Sequence, residues 1–176
     1  MYTYKTNKKP PTPTSTKDKE EHDDDASDNE SKHSEESNEA RVLNAEDLID
    51  MNTFDQLLDM DDEDDHDFSY SIVLNYFEQA EATFDDMDAA LDKKDLSELS
   101  RLGHFLKGSS AAIGLRKVKA TCEKIQNIGN RQNEEGEKLE EAEALAKITP
   151  LLPQVKAEYS EAEEYLKNFY DVQEAR

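Results

Sequence analysis

One histidine in this sequence stands where its imidazole could react with a visiting molecule. Arg101-Leu102-Gly103-His104-Phe105-Leu106-Lys107-Gly108-Ser109-Ser110 lies in a run whose apolar spacing predicts a helix from about Asp95 to about Ile113. Wound at 3.6 residues per turn, Leu99, Leu102, Leu106 and Ile113 form one core-facing stripe. His104 falls about 200° from Leu106, on a face shared with Ser97, Ser100, Arg101, Lys107, Gly108 and Ala111. The ring is therefore expected in water, between cations. Imidazole can act as a nucleophile and form a covalent intermediate, and its neutral form is abundant near pH 7. If it accepts a phosphoryl group, Lys107 at i+3 can neutralise part of the new charge. Gly108 at i+4 leaves space for another protein to approach.

Other chemistries fit this stretch less well. Gly103 and Gly108 have the glycine spacing of a phosphate loop, but Ser109 occupies the lysine position and no strand precedes it. Glycines inside a continuous helix cannot offer a nest of N–H groups. His104 has no His or Cys at helical spacing and has Lys107 beside it, so no metal site is expected. From the residues alone, a non-catalytic helical docking protein with an exposed surface histidine stands as the alternative.

The elements that must present this stretch are helical. A short helix is expected around Phe54, Leu57, Leu58 and Met60, capped by Asn44 or Asn52. The acidic run Asp61 to Asp67 lacks the glycine and terminal glutamate of a calcium loop. It is read as charge favoured at the start of the next helix, with His66 solvated. That helix, about Phe68 to Leu91, carries Tyr70, Val73, Phe77, Ala80, Phe84, Met87 and Leu91 at spacings of three and four. Ile72 lies off the stripe and is a candidate exposed residue. Asp92 to Asp95 is a polar turn into the His104 helix, and Gly114 ends that helix by taking positive φ. The fourth helix uses Leu115, Val118, Cys122, Ile125 and Ile128 and stops near Gly129-Asn130. The last helical region starts near Lys138 with Leu139, Ala142 and Leu145 inward, is interrupted or restarted at Pro150 and Pro153, and continues through Leu152, Val155, Tyr159, Ala162, Leu166 and Phe169. No period-two strand pattern is present. The expected fold is all-α, an antiparallel four-helix bundle with a short extra N-terminal helix.

Composition narrows the function classes. The 176 residues carry a formal charge of −22, which repels phosphate backbones and anionic lipid, so neither nucleic acid nor membrane is an expected partner. Residues 1–40 are dominated by Pro, Thr, Ser, Lys, Asp and Glu, and are expected to be a disordered acidic tail with His22 and His33 solvated. Residues 41–176 form the expected domain. Met1 to Pro13 contains no apolar segment of signal-peptide length, and no apolar run approaches the roughly 20 residues that span a bilayer. The single cysteine, Cys122, lies on an apolar stripe and is expected in the core.

His104-Phe105-Leu106-Lys107-Gly108-Ser109-Ser110 resembles the signature of histidine-containing phosphotransfer (HPt) domains. Met60-Asp61-Asp62 through Asp67-Phe68-Ser69, Leu102 to Leu115, and Cys122-Glu123-Lys124-Ile125-Gln126-Asn127-Ile128-Gly129 extend the resemblance to fungal YPD-type phosphorelay intermediates. It covers most of the chain from about residue 50. The resemblance implies that His104 takes a phosphoryl group from a receiver-domain aspartate and passes it to a second receiver. Lys107 would assist the charge, Gln126 would lie near the histidine, and Gly108 would permit close approach. The docking patch would combine Leu57, Leu58 and Met60 with Phe68 and Ile72. The implied protein is a phosphocarrier without its own cofactor, with Mg²⁺ supplied by the receivers. The implied partners are the receiver domain of a hybrid sensor histidine kinase and response regulators, in a stress or osmosensing relay. A monomer, cytoplasmic and nuclear, is expected. One departure stands out. The family often has a basic residue directly after the Gly129 position, where this chain has Asn130 and then Arg131.

Overall fold

The computed structural model describes residues 46–62 and 65–174. The expected acidic tail with His22 and His33, and the candidate cap Asn44, lie outside them. Among the described residues, six helices of eight residues or more follow in order: α1 Met51–Leu58, α2 Asp67–Asp92, α3 Leu96–Ala112, α4 Arg116–Gly129, α5 Glu141–Ile148 and α6 Leu151–Glu174. The four longest form the bundle, and no strand is present among the described residues.

Side-chain pairs between helices fix the antiparallel arrangement. Tyr170 Oη donates to Ser69 Oγ at 2.9 Å, Tyr159 Oη lies 3.5 Å from Glu81 Oε1, and Lys156 pairs with Asp88. Numbers thus rise along α2 as they fall along α6. Between α4 and α6, Thr121 meets Gln154 at 3.3 Å and Lys117 meets Glu161 at 3.5 Å.

The helix ends follow local chemistry. The Asp50 side chain accepts from Asn52 N at 3.2 Å and caps α1, so the cap is Asp50 and not Asn52. A carboxylate serves this role as well as an amide does. Asp95 caps α3 by accepting from Glu98 N at 3.0 Å. Gly114 takes φ +82°, and Leu115 N donates to Ser110 O at 2.9 Å, closing the end of α3. The end of α4 differs. Arg131 takes φ +59°, while Gly129 is still helical and is demanded by packing.

Most expected stripe residues are buried, including Leu99, Leu102, Leu106, Ile113, Val118, Cys122, Ile125 and Leu166. Tyr70, Leu91, Ile128 and Phe169 are half-buried and pack against the core. Ala142 is exposed. The region from Lys138 winds into α5 only at Glu141, which turns Ala144 and Ile148 inward instead. Phe54 is fully buried against Phe169 and Tyr170, with ring centroids at 5.3 Å and 6.3 Å, and ties α1 to α6. Burial pushes the Cys122 thiol up to about 12, with Glu158 adding to the shift. At neutral pH this thiol is uncharged and unreactive.

Helices α3 and α4 are the closest pair, and glycine is the reason. A Cβ at Gly103 would stand 2.9 Å from Gln126 N and 3.0 Å from Cys122 O. A Cβ at Gly129 would stand 2.7 Å from Ser100 N and 2.8 Å from Leu96 O. The two backbones approach at both places because neither residue has a side chain. Side chains on α3 can therefore reach partners on α4.

Candidate functional site

α3 is continuous through the glycine pair, and its core stripe sets its rotation. Leu102 and Leu106 point inward, and His104 is exposed on the outer face. Gly108, one turn on, is exposed, and a Cβ built there would meet nothing within 4 Å. Lys107 stands between them. The ring therefore faces solvent beside a cation and an open backbone position.

The surroundings differ from expectation in three ways. Ser100, placed by periodicity on the histidine face, is buried and donates its hydroxyl to Gln126 O at 3.0 Å. The glycine-close crossing has turned it into the α4 seam. Neither flanking cation points freely into water. Arg101 forms a two-pronged pair with Glu98, its Nε at 2.8 Å. Lys107 Nζ lies 3.5 Å from Glu123 Oε1 across the seam, and only 25% of its side chain is exposed. Gln126 is half-buried on α4, with its main chain against Gly103 and Ser100. Its Oε1 is buried without a hydrogen-bond partner.

The implied apolar patch divides. Met60 is 62% exposed and Phe68 46%. Leu57 is 7% exposed and belongs to the core. Phe54 and Leu57, three residues apart, form the inward face of α1. Leu58 and Ile72 are half-buried and pack against the core. Met60 and Phe68 lie at the bundle end where α3 terminates, with Asp50 N donating to Gly114 O at 2.7 Å. His104 lies six residues, about 9 Å of helix rise, before Ser110, whose hydroxyl bonds Tyr76 Oη at 2.8 Å. Phe105, also 46% exposed, directly follows the histidine. The sequence signal for an exposed Phe105 is its position off the Leu102–Leu106 stripe.

The acidic run does sit at the start of α2, as expected: Asp67 lies in its first turn and Asp65 accepts from Asp67 N at 3.2 Å. Asp61 accepts from both Ser69 N and Ser69 Oγ at 2.6 Å, and His66 Nδ1 lies 2.9 Å from its Oδ2. His66 is thus paired with Asp61 instead of freely solvated, with its side chain 37% exposed. Burial pushes the Asp61 carboxyl up, but the Ser69 hydrogen bonds and His66 outweigh it and hold it below the ordinary carboxylate value. This bracket ties Asp61 to the first turn of α2. Asn130 is exposed. Arg131 does not stand in as a second cation at the histidine, because its Nε donates to Leu139 O at 3.0 Å and its guanidinium lies 3.6 Å from Glu140.

No cluster of three or more His, Cys, Asp or Glu suited to a metal occurs among the described residues. No described helix is long and apolar enough to cross a membrane.

Fold and site together describe an all-α bundle that displays one histidine on a continuous helix. The Hpt domain family model matches residues 71–165, more than half of the chain, and the chain belongs to that family. It is 51% identical over 135 residues to multistep phosphorelay regulator 1 of Schizosaccharomyces pombe, covering 76% of this chain and 46% of that one. It is 46% identical over 85 residues to phosphorelay intermediate protein YPD1 of Saccharomyces cerevisiae, covering 48% of this chain and 50% of YPD1. The chain thus spans about half the length of these curated relatives. Among solved structures, it resembles the Saccharomyces cerevisiae histidine phosphotransfer signaling protein Ypd1, crystallised with the receiver domain of its downstream response regulator Ssk1. The TM-score is 0.62 at 34% identity, covering 70% of this chain and 95% of that one.

Proposed function

We propose that this protein is a phosphocarrier that moves a phosphoryl group between receiver-domain aspartates through His104. The observation that carries the reading is the exposed imidazole beside an open glycine turn on a helix of an Hpt-family bundle. A ring nitrogen of neutral His104 attacks the phosphorus of an aspartyl phosphate in line. The N–P bond forms as the P–O bond to the aspartate breaks, and the carboxylate leaves with the electron pair. The reverse step at a second receiver aspartate regenerates His104. Transfer of this kind depends on positioning and charge neutralisation. Lys107 supplies charge from this chain, Gln126 lines the adjoining seam, and the receivers supply Mg²⁺.

Gly108 gives the partner room, and Phe105, Met60 and Phe68 offer it apolar contact. The partners are the receiver domains of a hybrid sensor kinase and of response regulators, in a stress or osmosensing relay. The carrier acts as a monomer in cytoplasm and nucleus.

Incubation with a phosphorylated receiver tests the reading. The wild-type chain acquires acid-labile, base-stable phosphate, and His104→Gln folds normally but acquires none. Labelling that persists in His104→Gln overturns the assignment.

A further inference from the structure

We infer that Glu123 is a positioning residue that restrains Lys107 until a phosphoryl group arrives on His104, an inference that rests on the proposed carrier role of this site. The glycine-close crossing at Gly103 and Gly129 brings α4 within reach of the outer face of α3. Lys107 crosses the seam to Glu123, with Nζ 3.5 Å from Oε1. That separation is a charge contact rather than a short hydrogen bond. The Lys107 side chain is three-quarters covered, whereas Glu123 is 54% exposed. The pair restrains the cation only weakly, because an ion pair open to water is worth little.

His104 and Lys107 share one helix face at i, i+3. A phosphoryl group on the ring brings close to two negative charges, where Glu123 offers one. Lys107 then exchanges the carboxylate for the phosphoryl oxygens. Glu123 opposes that exchange by holding the cation. Arg101 differs, because its partner Glu98 lies on its own helix and holds it with two hydrogen bonds.

Neutralising Glu123 should strengthen the hold on phosphohistidine, and only through Lys107. His104 is charged with phosphoramidate, a small donor that needs no receiver, and loss of phosphate is followed over time. Glu123→Gln is expected to lengthen the phosphohistidine lifetime about two- to fivefold, the range set by a weak exposed pair. Glu123→Asp keeps the charge and returns the lifetime toward wild type. Lys107→Ala shortens the lifetime, and adding Glu123→Gln to it changes nothing further. An unchanged lifetime in Glu123→Gln overturns the inference. So does an effect of equal size in the Lys107→Ala background, which would make Glu123 a through-space charge rather than a restraint. If phosphoramidate labels His104 but a phosphorylated receiver does not, the carrier role fails while the Glu123 result still reads out separately.

Discussion

Two glycines five residues apart on one helix should respond to the same substitution with opposite signs. Alanine is favoured over glycine in a helix interior by roughly 0.5–1 kcal/mol, because glycine loses more backbone freedom on folding. At Gly108 the added methyl meets nothing within 4 Å, so Gly108→Ala should collect that gain. At Gly103 the same methyl would stand 2.9 Å from Gln126 N and 3.0 Å from Cys122 O. These are backbone atoms of a packed helix and cannot rotate away. Overpacking of this kind costs about 1–3 kcal/mol. After the propensity gain is subtracted, Gly103→Ala should lose about 0–2.5 kcal/mol, centred near 1. For a domain of this size 1 kcal/mol moves the midpoint by about 3–5 °C. Thermal unfolding followed by circular dichroism should show Gly108→Ala raised by about 2–5 °C and Gly103→Ala lowered by about 5 °C and at most about 12 °C. Transfer from a phosphorylated receiver should show the reverse interest of Gly108, since a larger side chain such as Gln there weakens docking while helical content stays at the wild-type level. A Gly103→Ala protein more stable than wild type would refute the seam geometry. A destabilised Gly108→Ala would refute the open face beside His104.

The division of the apolar patch predicts that Leu57→Ala costs about 2–4 kcal/mol by leaving a core cavity. Met60→Ala should leave the unfolding free energy from denaturant titration within about 0.5 kcal/mol of wild type and weaken receiver binding; comparable destabilisation of the two variants would contradict the placement of α1. The Asp61 bracket predicts a pH signature. Its carboxyl lies below the ordinary value in the folded state, so the stabilisation is complete above the unfolded value of about 4. It is lost as pH falls through the folded value. Asp61→Asn should flatten this acid limb of the stability–pH profile in denaturant titrations, and an unaltered limb would show that other carboxylates carry it.

What this sequence determined by itself is what repeats within a few residues of chain. The helices, the inward stripes and the outward projection of His104 follow from side chains at i, i+3 and i+4 sharing a face, a rule that needs no knowledge of neighbours. Gly114 could be read as a helix end because positive φ is a local demand. The fold of helix on helix decided the rest. Periodicity gave Ser100 the same face as His104, yet the α4 backbone covers one and leaves the other open. Leu57 and Met60 look alike in sequence, but only Leu57 meets the bundle. Asp61 reads as one carboxylate among many until Ser69 and His66 converge on it, and Ser69 is held in turn by Tyr170, 101 residues away. Lys107 acquires Glu123 only because two glycines let α3 and α4 approach. Local spacing determines which way a side chain points, and tertiary packing determines what it meets there.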